Sequence, residues 1–376
     1  RGGREMASKV LGLLDLHNCP ELGPLTTARS LASTSFLGRF AFMDFALSNF
    51  SNSGIDEVGI LVKAHLRSVL KHMGSMQSWN INTKIGRETI MYNERGNMNR
   101  KKNTDINNIL VNDWVLHESK AKYIIIQPAH VVCKIDFEPI LKEHVKRGEK
   151  VSLIYKRIND AHKAFATHNI VNVKNGYVRS FKNNRQKEKE VLVSLETYII
   201  NRDVLTTLIE EALKFNPTYT IKDAIKKFAN KLFKVRAFEH FGYARSFDSL
   251  EHFVDYSFEL LDYRYAHQLF QNDWPIYTIT RDTTPTLYGT KANIRDSFIA
   301  NGAIVEGRVE HSIISRNVKV GRGAIIRNSI ILADTAIGEN AVINHAVIDK
   351  YCHVSDGVHI DGTKTNPKYI EQGKKL

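Results

Sequence analysis

The C-terminal part of the chain repeats an apolar residue every five or six positions, and this pattern constrains the fold more than any other feature. Glycines such as Gly307, Gly321 and Gly338 fall between the apolar positions, so each hexapeptide supplies one face of a triangular coil. The pattern predicts a left-handed parallel β-helix. Strands of a sandwich, the alternative, need alternation at every second residue and hairpin turns, which this segment lacks. The repeating residues are Phe298, Ile304, Val309, Ile314, Val320, Ile326, Ile331, Ile337, Ile343, Ile348, Val354 and Ile360.

The preceding part of the chain alternates short apolar runs with amphipathic stretches, which is typical of an α/β fold with a mostly parallel sheet. The pattern predicts strands at 10–14, 57–62, 123–126 and 151–155, and helices at 42–52, 64–73, 137–147 and 219–229. Residues 1–5 precede Met6 and resemble a leftover of cloning. We therefore expect an α/β domain at 6–265, a linker at 266–290 and the β-helix at 291–376.

Composition excludes several classes of protein. With 376 residues, 43% of them apolar and 25% charged, the chain is neither disordered nor a small disulfide scaffold. Its three cysteines are far apart and form no CxxC pair, which favours a reducing cytoplasm. The formal net charge of +13 is scattered and not interleaved with aromatic residues, so no nucleic-acid partner is expected. No apolar run is long enough to indicate a membrane partner.

Five strings carry a resemblance to a known family. They are "LGPLTTARS" at 22–30, "DFALSNFSNSGI" at 44–55, "SWNIN" at 78–82, "TIKDAI" at 220–225 and "NDWPIYT" at 272–278. In this order and spacing the chain resembles glucose-1-phosphate adenylyltransferase, the ADP-glucose pyrophosphorylase of glycogen synthesis. The resemblance implies a Rossmann-like, mixed-sheet nucleotidyltransferase domain, followed by a β-helix that mediates oligomer contacts.

The resemblance also implies which residues should bind phosphate. Active members join ATP and glucose 1-phosphate, and a glycine-rich loop after the first strand approaches the phosphates. Here the family's glycine positions hold Leu16, His17 and Cys19, its arginine position holds Glu21, and a downstream lysine position holds Leu31. Bulky side chains and a negative charge at these positions predict poor binding of ATP.

The metal and sugar positions depart from the family as well. The two aspartates that hold Mg²⁺ in the family correspond to Ala129 and Ser246, so we expect neither a metal nor another cofactor in this chain, and Mg²⁺ only in a catalytic homologue. The remnants of the sugar pocket are Asn184, Ser194, Glu196 and Tyr198, of which Asn184 replaces a lysine and Glu196 replaces a small residue.

These losses predict a pseudoenzyme. The chain resembles most closely the GlgD-type subunit, which implies a heterotetramer in which it modulates a catalytic homologue by allosteric contacts. Arg29 and Arg39 are possible contacts of an effector. Two alternatives stay open: a weakly active site built from His17, His130 and Glu21, and an acyltransferase of the hexapeptide type. The histidines that could serve the acyltransferase are His345, His353 and His359.

Overall fold

The structure is a computed structural model that describes residues 9–74, 77–79, 81, 87–93 and 102–376. Residues 1–5, together with Asn80 and Asn82 of the "SWNIN" string, lie outside the described residues. The chain divides into two compact units. The first contains residues 1–20, 43–248 and 271–277, and the second contains residues 21–42, 249–270 and 278–376.

Thirteen strands precede the repeating segment in the described chain. They are β1 Val10–Asp15, β2 Ser35–Phe36, β3 Phe40–Ala41, β4 Glu57–Val62, β5 Arg87–Tyr92, β6 Tyr123–Pro128, β7 Val131–Cys133, β8 Val151–Ile158, β9 Asn169–Lys174, β10 Tyr177–Asn183, β11 Val191–Asn201, β12 Val235–Glu239 and β13 Ala244–Ser246. The described α-helices are α1 Phe42–Asn52, α2 Leu66–Met73, α3 Asp105–Val111, α4 Trp114–Glu118, α5 Phe137–Lys146, α6 Arg202–Phe215, α7 Ile221–Phe228, α8 Leu250–Glu259 and α9 Tyr263–Leu269.

A nine-stranded mixed sheet organises the first unit, in the order β5-β4-β1-β6-β11-β8-β12-β10-β9. β1 runs parallel to β4 and β6, whereas β11 runs antiparallel to β6 and β8. All six residues of β1 are buried, as expected for a parallel strand covered on both faces. Gly12 allows this packing, because a Cβ atom there would lie 3.1 Å from the Phe50 ring of α1. The strands and helices predicted for this unit are confirmed, with ends shifted by a few residues.

Two sets of local hydrogen bonds give a structural role to residues of the sequence motifs quoted above. In "TIKDAI", Thr220 precedes α7 and accepts a hydrogen bond from the Asp223 backbone, while the Asp223 carboxylate accepts one from the Thr220 backbone. This reciprocal capping box satisfies two backbone donors that the helix itself leaves unpaired. In "DFALSNFSNSGI", the Asn49 amide of α1 donates to the Cys133 carbonyl at 3.0 Å and its oxygen accepts from the Ile135 amide. These strings therefore encode scaffold contacts.

The repeating segment of the second unit forms a left-handed parallel β-helix, which confirms the prediction. Its strands build three five-stranded parallel sheets, in the orders β14-β17-β20-β23-β26, β15-β18-β21-β24-β27 and β16-β19-β22-β25-β28. They are β14 Leu287–Tyr288, β15 Asn293–Arg295, β16 Phe298–Ile299, β17 Ile304–Val305, β18 Arg308–Glu310, β19 Ile313–Ile314, β20 Lys319–Val320, β21 Ile325–Arg327, β22 Ile330–Ile331, β23 Ala336–Ile337, β24 Val342–Asn344, β25 Ala346–Ile348, β26 His353–Val354, β27 His359–Asp361 and β28 Lys368–Ile370.

The hexapeptide residues stack inside this coil. Val320 pairs with Ile337, and Ile337 pairs with Val354 one turn further on, so the predicted apolar series forms a continuous core. Polar residues sit at the corners, where Asn317 and Asn340 adopt positive φ values of 59° and 57°. Asparagine tolerates this left-handed conformation better than most residues, which explains its use between the apolar positions.

No helix in the described part of the chain is long and apolar enough to cross a lipid bilayer.

Candidate functional site

Parallel strands bring the residues of interest to one edge of the sheet in the first unit. β1 ends at Asp15 and its neighbour β6 ends at Pro128, and these two residues are paired in register. The Ala129 amide donates to the Asp15 carbonyl at 3.1 Å, which holds the two following segments together. In α/β sheets, ligands bind beyond the carboxyl ends of the strands. The segments that begin at Leu16 and Ala129 therefore form the candidate site.

Side chains fill the loop after β1, where the family places glycines. Leu16 and His17 are 4% and 3% exposed, and Cys19 is half-buried. The Asn108 amide of α3 donates to His17 Nε2 at 2.8 Å, so that this ring is neutral. Burial lowers the pKa of His17 to about 3, and burial raises the pKa of the Cys19 thiol. Neither side chain therefore offers a charge for catalysis near neutral pH.

Two buried carboxyl groups face each other beneath this loop. The Asn18 amide donates to Asp15 Oδ2 at 2.7 Å and to Asp105 Oδ2 at 2.9 Å, and so bridges the end of β1 to the start of α3. Burial raises the pKa of both carboxyl groups; repulsion from Asp15 adds to the shift of Asp105, and repulsion from Glu196 adds to that of Asp15. The bridge fixes the loop, and any negative charge that remains disfavours a polyphosphate here.

Ala129 and Ser246, the two residues that the family resemblance places at metal-binding positions, carry no carboxylate. Ala129 is 1% exposed, and its methyl group cannot ligate a metal. The Ser246 hydroxyl lies 2.9 Å from His168 Nε2 and is fully buried. Since Mg²⁺ prefers carboxylate oxygens, the residues present do not fit the ion that the family uses. No step of chemistry through Mg²⁺ can be derived for this site.

A different cluster lies beside Ser246. His130, His168 and Glu196 are all buried, and one potential ligand atom from each lies within 4.8 Å of the others. The rings of His130 and His168 have centroids 5.4 Å apart. Burial lowers the pKa of His130 well below its ordinary value, assisted by repulsion from His168 and Lys222. His130 is therefore a neutral imidazole near neutral pH.

Glu196 occupies a special position in β11. The pairing of β11 with β8 shifts register between Ser194 and Thr197, and Glu196 sits in this bulge with a φ of 53°. Its carboxylate lies 2.8 Å from the Lys222 ammonium group and 3.6 Å from His168 Nδ1. A glutamate at positive φ is strained, and such strain concentrates at functional sites. The sequence singled out Glu196 as unusual, and the bulge places it against the two histidines.

The remaining sugar-pocket positions have structural partners. The Ser194 hydroxyl accepts a hydrogen bond from the Glu196 amide at 3.0 Å, and burial raises the pKa of Tyr198 well above its ordinary value. The Asn184 amide lies 3.1 Å from each of the carbonyls of Ala161, Ala164 and Phe165. Asn184 thus organises a turn.

Four predicted site residues belong to the second unit. Glu21 is exposed, and Leu31 is buried in a short 3-10 turn. Arg29 forms a bidentate ion pair with Asp349 of the β-helix, with both distances at 2.7 Å. Arg39 is exposed and lies 5.3 Å from the centre of the Phe40 ring. Of the two possible effector contacts, Arg29 has its donors engaged within the unit and Arg39 is accessible.

The residues of the two alternative sites are also placed. His17 bonds to α3 and His130 belongs to the cluster with His168, so each histidine has separate surroundings. In the β-helix, His353 and His359 are exposed and His345 is half-buried.

Sequence reasoning missed five residues that complete the site: Asp15, Asn18, Asp105, His168 and Lys222. No spacing motif joins them, because they come from segments far apart in the chain. Asp15 was the one available signal for the carboxyl pair, because it is an acidic residue at the end of a buried strand.

Comparisons with known proteins agree with this architecture. A nucleotidyl transferase family model matches residues 20–243, and a model of the GlmU-like C-terminal hexapeptide region matches residues 283–367. The glycogen biosynthesis protein GlgD of Geobacillus stearothermophilus is 34% identical over 326 residues, which cover 85% of this chain and 84% of that protein. GlgD of Bacillus subtilis is 30% identical over 373 residues, which cover 97% of this chain and 96% of that protein.

Enzymes of the same group are more distant. The glucose-1-phosphate adenylyltransferase of Clostridium perfringens (strain SM101) is 27% identical over 317 residues, which cover 83% of this chain and 81% of the enzyme. Both the nucleotidyl transferase match and the identity to the GlgD proteins extend over most of the fold described above. The chain therefore belongs to the nucleotidyltransferase family, within the group that contains the GlgD proteins and the glucose-1-phosphate adenylyltransferases.

Proposed function

We propose that this chain is a non-catalytic subunit in glycogen biosynthesis, which regulates a catalytic glucose-1-phosphate adenylyltransferase within a heterotetramer. Ala129 and Ser246 at the positions of the metal-binding aspartates carry the proposal. Two phosphorylated substrates cannot approach each other without compensation of their charge, and a methyl group and a hydroxyl group supply none. The similarity to the GlgD proteins, which are named for glycogen biosynthesis, supports the pathway.

The filled loop supports the same conclusion independently. Nucleotide phosphates in this family approach backbone N–H groups, and such an approach requires glycine or open space. Leu16 and His17 are packed into the fold, and Asn18 ties the loop to two carboxyl groups. Reopening the loop would break these contacts, so binding of ATP in the family's manner is disfavoured.

Regulation then depends on contacts between chains. A subunit that binds the active state of its partner better than the inactive state shifts the partner's equilibrium by that difference in affinity. About 1.4 kcal/mol of such a difference changes the ratio of the two states tenfold. Because no chemistry in this chain is required for the shift, its fold can be retained while its site is lost.

The β-helix is the part of the chain that we propose for these contacts. β14 is the end strand of its sheet, and its residues Leu287 and Tyr288 are 60% and 52% exposed. Stacked coils need their ends covered, and an exposed end strand with large apolar side chains favours association with another chain.

The decisive experiment measures pyrophosphate release from ATP and glucose 1-phosphate with Mg²⁺. It compares this chain alone, a catalytic homologue alone, and the two together. We expect no turnover by this chain alone, and a changed kcat or KM in the mixture. Turnover by this chain alone at the rate of its homologue would refute the proposal and would favour the altered site at His17, His130 and Glu21.

A matched pair of variants tests the contact. Tyr288→Glu places a charge on the end strand of the β-helix, and Leu70→Glu places the same charge on an exposed position of α2, where Leu70 is 45% exposed. We expect Tyr288→Glu to abolish the kinetic effect in the mixture and Leu70→Glu to preserve it. Equal effects of the two variants would contradict assembly through the β-helix.

A further inference from the structure

The cluster of His130, His168 and Glu196 has the composition and spacing of a transition-metal site. Among the described residues it is the one group of three histidine, cysteine or acidic side chains whose potential ligand atoms lie within 4.8 Å of one another. We propose that these three residues bind a divalent first-row transition metal, of which Zn²⁺ is the best match. The proposal departs from the expectation of a metal-free chain, and it does not depend on the proposed regulatory function.

The ligand types decide the class of metal. Two imidazoles and one carboxylate are ligands that Zn²⁺ accepts in tetrahedral sites, whereas Mg²⁺ prefers oxygen alone. Bonds of about 2.0–2.2 Å place tetrahedral ligand atoms roughly 3.3–3.5 Å apart. The ligand atoms, which lie within 4.8 Å of each other, therefore need to move inward by about an ångström, which side-chain rotations can provide.

Both ring nitrogens of His168 already have hydrogen-bond partners. Its Nδ1 lies 2.8 Å from the Ser194 carbonyl, which can only accept, so Nδ1 carries the proton. In a neutral ring with this tautomer the lone pair is on Nε2, which lies 2.9 Å from the Ser246 hydroxyl, whereas Nδ1 is the nitrogen that lies 3.6 Å from the Glu196 carboxylate. The ring therefore has to turn for Nε2 and Glu196 to reach one metal together. Metal-binding histidines typically donate their other N–H to a carbonyl or carboxylate in this way. For a metal to bind, the hydroxyl of Ser246 must turn away from Nε2, and the ammonium group of Lys222 must release the Glu196 carboxylate.

His130 supplies an independent sign of a ligand. Its side chain is 1% exposed, and its Nδ1 has no hydrogen-bond partner among the described residues. Leaving a buried polar atom unpaired costs about 1–3 kcal/mol, so an atom of this kind calls for a partner. One nitrogen of the His130 ring lies within 4.8 Å of the ligand atoms of His168 and Glu196, and a ring that presents Nδ1 to a metal between them would give this atom its partner.

Glu196 and Lys222 explain why the cluster is stable without metal. The Lys222 ammonium group lies 2.8 Å from the Glu196 carboxylate and 3.1 Å from the Thr167 carbonyl. Lys222 thus neutralises a buried carboxylate that would otherwise be unpaired, and it competes with a cation for the same oxygen. Its side chain is 22% exposed, so it can release Glu196 and turn toward solvent when a metal binds.

The competition by Lys222 gives the proposal a test that misfolding cannot imitate. The chain, stripped with a chelator, is titrated with Zn²⁺ in competition with a zinc indicator, and bound zinc is counted by mass spectrometry after desalting. Co²⁺ serves as a spectroscopic probe, because its visible bands report coordination by nitrogen and oxygen. We expect one Zn²⁺ per chain and an intense Co²⁺ spectrum typical of low coordination number.

Four variants complete the test. His168→Gln and Glu196→Gln each lower the affinity for Zn²⁺ at least about tenfold, as loss of a ligand or its support does. Lys222→Gln raises the affinity several-fold. His117→Gln, which removes an exposed histidine of α4, leaves it unchanged, and circular dichroism confirms that each variant folds. Substoichiometric zinc in the wild-type chain, equal losses in His168→Gln and His117→Gln, or weaker binding by Lys222→Gln would each overturn the proposal.

Discussion

The ion pair between Arg29 and Asp349 provides a sharp prediction about the second unit. Arg29 is 6% exposed and Asp349 is 1% exposed, and two N–H···O contacts of 2.7 Å join them. Arg29 also donates to Gln372 at 2.6 Å, and the Tyr369 hydroxyl donates to Asp349 at 2.6 Å. Replacement of Arg29 by alanine therefore leaves a buried carboxylate with one remaining side-chain donor.

The magnitude follows from this geometry. Removing one partner of a buried, hydrogen-bonded ion pair costs about 3–5 kcal/mol, because the other charge stays buried without compensation. We expect Arg29→Ala to lower the free energy of unfolding by that amount. The double variant Arg29→Met with Asp349→Leu removes both charges and should lose less than Arg29→Ala alone. Arg39→Ala, at an exposed arginine, should change stability by no more than about 0.5 kcal/mol.

The assay is equilibrium unfolding in urea, followed by far-ultraviolet circular dichroism, with limited proteolysis to assign the transition to the β-helix. Stability of the Arg29→Ala chain within 1 kcal/mol of the wild type would refute a structural role, since the threshold lies well below about 3 kcal/mol. A double variant less stable than Arg29→Ala would equally contradict the reasoning.

Three further predictions concern the first unit. Asp105→Asn should reduce the difference in unfolding free energy between pH 5 and pH 8, measured by urea unfolding. Because the pKa of this carboxyl group is raised in the folded state, the wild type loses stability as the pH rises above the ordinary carboxyl range. An unchanged pH dependence in the variant would contradict this reasoning. Asn184→Ala should lower the free energy of unfolding by about 1–3 kcal/mol, because it leaves buried carbonyl groups unpaired. Hydrogen exchange should become faster around the 161–165 turn, and Lys187→Ala, at an exposed position, serves as the control. The double variant Ala129→Asp, Ser246→Asp should bind Mg²⁺ but not ATP in calorimetry, because side chains still fill the loop after β1. Tight binding of ATP by this variant would show that the loop opens.

The fold was predicted correctly from the sequence where the structure is a regular repeat or is formed by residues close together in the chain. The apolar series from Phe298 to Ile360 has a period that a triangular coil satisfies, and the stacked sheets follow from it. The run at 10–14 is long enough for a strand and too short for a helix, and the strand formed extends to Asp15. The strings of the family resemblance led to the same architecture.

At the candidate site, the sequence predicted only which residues of the family's motifs are missing. The family resemblance predicted that Ala129 and Ser246 stand where the family has metal-binding aspartates, because a departure from a known motif can be noticed without coordinates. It also marked Glu196 as unusual. The contacts of Ser246 and Glu196 with His168 and Lys222 could not be predicted. These side chains come from separate strands and helices, and the sequence does not say which of these elements lie next to each other.

The sequence alone thus determined the α/β body and the β-helix, since each follows from a pattern of residue types along the chain. Tertiary structure decided which side chains meet around Ala129 and Ser246. The bulge in β11 turns Glu196 toward His168, and the register of β1 with β6 brings Asp15 beside Ala129. Such contacts depend on strand order and register, because a shift of one residue would turn each side chain to the opposite face of the sheet.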